Sequence, residues 1–191
     1  MFIAIDGPNG VGKSSIVEGI KDRFGNDKKI FITKEPSDTE FGQYVKRNEE
    51  TYSGEHYGML IAADRQYHID TIIKPHLDNG EVVICDRYIA SSLVLQYFDG
   101  MSKKKIWEMN KHILIPDLYV VVLANEKEIV ERLKKREWFS KFEKNMSRAK
   151  EIKYFADVIN YLKNRKFNML RLDNHNGDLE SSISTIVKLI N

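Results

Sequence analysis

The sequence predicts an α/β fold in which helices cover both faces of a five-stranded parallel sheet, doubly wound. Three observations predict it. Five apolar runs of strand length alternate with stretches whose apolar residues recur at helical spacing. The run 118–123 is nearly all apolar, as a strand buried on both faces must be. Asp6-Gly7, Glu35-Pro36 and Asp86-Arg87 each close one of the first three runs. Polar groups thus gather at the carboxyl ends of the strands, where such sheets take their ligands.

Residues 2–6 read as the first strand, and 14–24 as a helix with Ile16, Val17 and Ile20 on one face. A second strand covers 29–33 and a short helix 41–50. Residues 55–79 read as one long helix, with Pro75 as a possible kink and Gly80 as its end. The third strand is 82–85, and helices follow at 90–97 and 103–110, separated by Asp99-Gly100. After the fourth strand, 126–137 reads as a helix of alternating charge, 138–143 as a polar and aromatic interruption, and 145–165 as a long helix. The fifth strand is 167–172 and the last helix 178–190. No repeat or low-complexity segment interrupts this order, so 1–191 is expected to be one domain.

The stretch after the first strand organises the rest. Gly7-Pro8-Asn9-Gly10-Val11-Gly12-Lys13-Ser14-Ser15 fits G-x-x-x-x-G-K-[ST], and its setting between strand and helix is the one that motif requires. Glycines let the backbone wrap phosphate oxygens with N–H groups pointing inward. The following helix offers its positive end to the same anion. Lys13 adds a cation for the outer phosphates, and Ser14 can ligate Mg²⁺. Asp86 follows four apolar strand residues, which places a carboxylate beside Ser14 for the same ion; the plainer reading is a helix cap. Arg87, next to it, has the planar fork of donors that can grip two phosphoryl groups.

Composition bounds the alternatives. Of 191 residues, 42% are apolar and 30% charged, and net charge is +2, so no general attraction to nucleic acid or a membrane is implied. Cys85 is the single cysteine and sits in an apolar run, so no internal disulfide forms and an inert buried thiol is expected. No apolar run approaches the length of a membrane span, and a reducing cytoplasm is the simplest location. His56, His68, His76, His112 and His175 show no metal-ligand spacing and read as surface or packing residues.

At this point the chain resembles the thymidylate kinase family of nucleoside monophosphate kinases, which share the P-loop NTPase fold with a short lid. The residues that carry the resemblance come in the family's order. After the P-loop, Glu35-Pro36-Ser37-Asp38-Thr39 looks like E-P-x-x-T. Ala62-Ala63-Asp64-Arg65 looks like A-x-R, and Asp86-Arg87-Tyr88 with Ser91 looks like D-R-Y-x-x-S. Arg136 with Ser140-Lys141-Phe142-Glu143 looks like the lid, over about 134–145.

The resemblance implies transfer of a phosphoryl group from ATP to thymidine monophosphate with Mg²⁺. It implies that Arg87 holds the acceptor phosphate, that Arg65 reaches the base edge, and that Ser91 and Ser92 lie beside the acceptor with Glu35. It places Arg136 and Lys141 over ATP as the lid, brings Tyr154 near the acceptor, and implies a homodimer. Where the family carries a P-loop carboxylate facing the sugar 3′-hydroxyl, this chain has Asn9, which can hydrogen-bond without a charge. The aromatic that stacks on thymine falls at Ile61, and the one against the sugar 2′ position at Leu95. Two aliphatics there could weaken thymine binding or admit another base.

Two rivals remain at this level. A deoxynucleoside kinase would use Glu35 as general base towards a 5′-hydroxyl. A nucleotide-binding protein with weak turnover would explain the altered lid and base pocket. A GTPase switch is disfavoured, since no N-K-x-D appears.

Overall fold

Strand β1 (Phe2–Asp6) lies at the centre of the sheet, flanked by β3 (Val82–Asp86) and β4 (Leu118–Leu123). β2 (Ile30–Lys34) and β5 (Met169–Asp173) form the edges, giving the order β2-β3-β1-β4-β5 with every pair parallel. The computed structural model describes residues 1–25, 29–134, 137, 139–175 and 178–190. The helices are α1 (Lys13–Phe24), α2 (Glu40–Arg47), α3 (Gly54–His68), α4 (Lys74–Asp78), α5 (Ile89–Phe98), α6 (Lys103–Met109), α7 (Glu126–Leu133), α8 (Lys141–Asn145), α9 (Arg148–Lys163) and α10 (Leu179–Ile190). The five-stranded parallel sheet expected from the sequence is present, with helices on both faces.

The alternation of side chains along a strand divides the core in two. Phe2 and Ala4 of β1 join Val83, Cys85, Tyr119 and Val121 on one face, which α3, α5 and α9 cover. Ile3 and Ile5 join Ile84, Val120 and Val122 on the other, covered by α1 and α10. Register then sets the site. Ile5 and Lys34 both pair with Asp86, so β1, β2 and β3 end in one row. The amides of Arg87 and Glu35 continue the ladder, bonding the carbonyls of Ile5 (2.9 Å) and Asp86 (3.0 Å). Three loops therefore leave the sheet side by side.

The long second-layer helix differs in detail from its expected form. α3 passes into a π-helical segment, Ile69–Ile73, and then into α4 without a break. Pro75 is the reason: it offers no N–H, and its ring would press on the carbonyl four residues back. Widening the preceding turn relieves this, and the Lys74 N–H bonds Ile69, five residues away. The segment around the lid also differs. α7 stops at Leu133 rather than 137, and part of the expected interruption is the short helix α8. Ser140 and Glu143 close a reciprocal capping box at its start. α9 begins at Arg148 because Met146 is extended and Ser147 caps the next helix. Asn26, Asp27, Lys28, Lys135, Arg136, Trp138, Asn176, Gly177 and Asn191 lie outside the described residues, Arg136 and Trp138 of the expected lid among them.

Candidate active site

The loop between β1 and α1 can be made only with glycine at its turns. Gly7 has φ 150°, and a Cβ there would run into the Val122 carbonyl oxygen. Gly12 has φ 101°, and a Cβ would stand 2.6 Å from the Asn174 amide nitrogen. Asn174 and Arg132 brace the loop from outside, donating to the Val11 carbonyl at 2.7 and 3.0 Å. Lys13 folds back over the loop, and its ammonium donates to the carbonyls of Gly7 (2.9 Å) and Pro8 (3.0 Å). Burial, then the charge of Arg87, pull its pKa down to about 8. A buried cation held against another cation is a site prepared for an anion.

β3 delivers two groups to the same place. Asp86 Oδ2 accepts from the Ser14 hydroxyl at 3.2 Å, while its Oδ1 is buried with no hydrogen-bond partner among the described residues. Arg87 has φ 72°, a left-handed conformation that costs a non-glycine residue about 1–2 kcal/mol. The backbone turn sends its guanidinium across the cleft. One nitrogen donates to Asn9 Oδ1 at 2.5 Å and the other to Ser91 Oγ at 3.2 Å. Both acceptors are neutral, so the guanidinium keeps its charge.

Asp6, at the end of β1, ties the start of α5 to the sheet. It accepts from the backbone amides of Tyr88 (2.9 Å) and Ser91 (3.2 Å) and the hydroxyls of Ser91 and Tyr119. Arg65 of α3 is 1% exposed and holds the wall of the adjoining pocket. It donates to Glu35 (2.7 Å), Asn110 (2.6 Å), the Tyr88 carbonyl (3.2 Å) and Ser92 (3.0 Å). Four of its five N–H donors are thus engaged by the protein. Ile61, Leu95, Tyr57 and Phe142 make the apolar part of the same pocket, with Asn9, Arg87 and Ser91 at its mouth.

Lys141 stands elsewhere than expected. It does not reach the P-loop. Its ammonium donates to Asp99 (3.1 Å) and the Tyr52 carbonyl (2.9 Å), over the rings of Tyr57 and Phe142. A carboxylate, a carbonyl and two aromatic faces together hold the cation there. Tyr154 packs on Tyr97, with ring centres 5.2 Å apart. His68 is a packing histidine, buried with Nε2 2.7 Å from Thr33 Oγ1 and Nδ1 3.6 Å from Glu35. Burial pushes the Cys85 thiol well above its usual pKa, so it is no nucleophile.

Glu151 and Arg148 had no signal in the sequence. Both are buried on α9, Glu151 against Asn9 and Arg148 against Glu151. Arg132 and Asn174 were missed for the same reason: each acts on a residue far along the chain. Their partners lie 121 and 163 positions away.

The fold and the glycine loop define a P-loop nucleotide-binding protein. Comparison with known proteins agrees. The family model described as thymidylate kinase matches residues 5–183. A probable thymidylate kinase of Thermococcus kodakarensis is 32% identical, covering 100% of this chain and 97% of its own length. That of Pyrococcus horikoshii is 33% identical, covering 99% and 95%. The chain belongs to the thymidylate kinase family. Among solved structures, a thymidylate kinase from Ehrlichia chaffeensis shares the fold, with a TM-score of 0.70 at 22% identity over 100% of this chain and 97% of that one.

Proposed function

We propose that the protein phosphorylates thymidine monophosphate, moving the γ-phosphoryl group of ATP onto the acceptor's 5′-phosphate to give ADP and thymidine diphosphate. The carrying observation is the Arg87 guanidinium, held between Asn9 and Ser91 with its charge unneutralised, at the rim shared by the P-loop and the pocket of Ile61, Leu95 and Arg65. The loop Gly7, Pro8, Asn9, Gly10, Val11, Gly12, Lys13, Ser14 and Ser15 is assigned to the ATP side. Lys13 takes the outer phosphates and Arg87 the acceptor phosphate, so both oppose the charge that spreads over the transferring group. Arg136 is assigned to the lid, about 134–145, as the cation that closes over ATP.

Ser14 and Asp86 suit a hard divalent cation. A hydroxyl and a carboxylate meet at 3.2 Å, and the second carboxylate oxygen, Asp86 Oδ1, lacks a hydrogen-bond partner among the described residues. These two would hold Mg²⁺, which would offset the charge of the phosphates. Glu35 is better suited to holding Arg65 than to acting as a general base towards a nucleoside hydroxyl. Its Oε2 is already engaged by the Arg65 guanidinium at 2.7 Å. Among the described residues no helix is long and apolar enough to cross a membrane. A cytoplasmic homodimer is the assembly and place we assign.

The test is a panel of common nucleosides and their monophosphates with ATP and magnesium. Thymidine monophosphate should be the fastest acceptor. Activity on thymidine and none on its monophosphate would reverse the assignment.

A further inference from the structure

We infer that Glu151, on α9, is the positioning residue that orients the P-loop amide of Asn9 and, through it, the guanidinium of Arg87. The side chain is 1% exposed, and its contacts are specific. Oε1 accepts from the Asn9 backbone N–H at 3.0 Å and from Asn9 Nδ2 at 3.1 Å. Oε2 accepts from Arg148 at 2.7 Å. Arg148 in turn donates to the carbonyls of Glu143 (2.9 Å) and Met146 (2.6 Å), beside α8.

The chemistry of these groups gives the line a direction. A carboxylate only accepts, so the Asn9 amide must turn its NH₂ towards Glu151. Its Oδ1 then faces Arg87, whose guanidinium only donates and meets it at 2.5 Å. Were the amide reversed, its NH₂ would confront the guanidinium and Arg87 would be pushed from the mouth of the pocket. Glu151 excludes that state.

Charge is handled by the same arrangement. Arg148 offsets Glu151 at 2.7 Å, and Asn9 interposes a neutral group between Glu151 and Arg87. The guanidinium is aimed without being neutralised, and its charge stays available to a phosphate. The line also joins the carbonyls beside α8 to the P-loop, so the base of the lid and the grip on the acceptor share one set of contacts.

This inference rests on the kinase reading above, and its test separates the two. The acceptor panel on the unaltered protein judges the kinase reading; the variants are then assayed with whichever acceptor that panel ranks first. Glu151→Gln should lower kcat about tenfold to a hundredfold and raise the acceptor KM severalfold, with the ATP KM within about twofold, as expected of a misplaced group that touches only the acceptor. Asn9→Asp sets two carboxylates against each other and should cost at least as much. The double variant Asn9→Asp with Glu151→Gln restores one acceptor facing one donor, and should recover at least about tenfold over Asn9→Asp alone. Independently of turnover, the Asn9 side-chain NH₂ should exchange slowly with solvent in the unaltered protein and faster in Glu151→Gln. A melting temperature that falls while kcat, both KM values and that exchange stay unchanged would overturn the inference. So would strictly additive losses in the double variant.

Discussion

The glycine loop and the pocket beneath α3 and α5 meet at Arg87, yet they are built from different material. The loop is backbone: three glycines in left-handed conformations and a lysine folded on the carbonyls of Gly7 and Pro8, all within seven residues. The pocket is side chains from distant segments: Arg65 ties Glu35, Tyr88, Ser92 and Asn110 into one wall. Main-chain amides recognise any polyphosphate and carry no preference beyond it. Side chains carry shape and specificity, and they depend on one another. Damage to the loop should therefore appear in turnover, and damage to the wall in stability.

The largest expected effect tests that division directly. Lys13→Ala should lower kcat about a thousandfold while the melting temperature changes little, because the lysine opposes charge that develops during transfer. Unchanged turnover in a standard coupled assay would remove Lys13 from its role. The mirror experiment is Arg65→Met, which leaves Glu35 buried at 5% side-chain exposure without its cation. Breaking such a pair costs about 3–5 kcal/mol, so chemical denaturation should show the midpoint moving sharply towards lower denaturant. A loss of turnover with full stability would mean that Arg65 acts on substrate and not on the wall.

Ile61→Phe sharpens the comparison from the specificity side. A ring added to the apolar part of the pocket should tighten thymidine monophosphate binding by about 1 kcal/mol, read by calorimetry. ATP affinity should not move. The smallest effect is one of protons. The folded, ligand-free protein holds Lys13 at a pKa of about 8, against 10.5 for an exposed lysine. Between those values the unfolded chain binds a proton that the folded chain does not, so this residue adds stability as pH rises through the window. A bound polyphosphate reverses the preference, since it favours the ammonium. Metal-free ATP should therefore bind with proton uptake at pH 8.5, and severalfold more weakly at pH 9 than at pH 7. Calorimetry in two buffers of different ionisation enthalpy measures the uptake, and none would mean that Lys13 stays charged throughout.

The same contrast explains what could be read early. The loop, Ser14 and Asp86-Arg87 were legible because each depends on its immediate neighbours: a strand, a glycine turn, a helix start. Lys141 was expected over the P-loop, but the partner that claims it, Asp99, lies 42 residues away. Glu151 acts 142 residues from its own position and looks, in sequence, like one more charge on a helix of mixed charge. The π turn before Pro75 was legible only as a kink, since the proline announces a missing donor without saying how the helix absorbs the loss.

By itself, then, the order of apolar runs and turns in this chain determined the sheet, its helices and the phosphate loop. Those features follow from local conformational preference and from strands needing cover on both faces. Tertiary structure alone decided which polar groups meet: Arg65 with Glu35, Lys141 with Asp99, Glu151 with Asn9. The physical reason is that a salt bridge or buried hydrogen bond is a matter of a few ångströms in space, and chain position constrains that only after the whole core has packed.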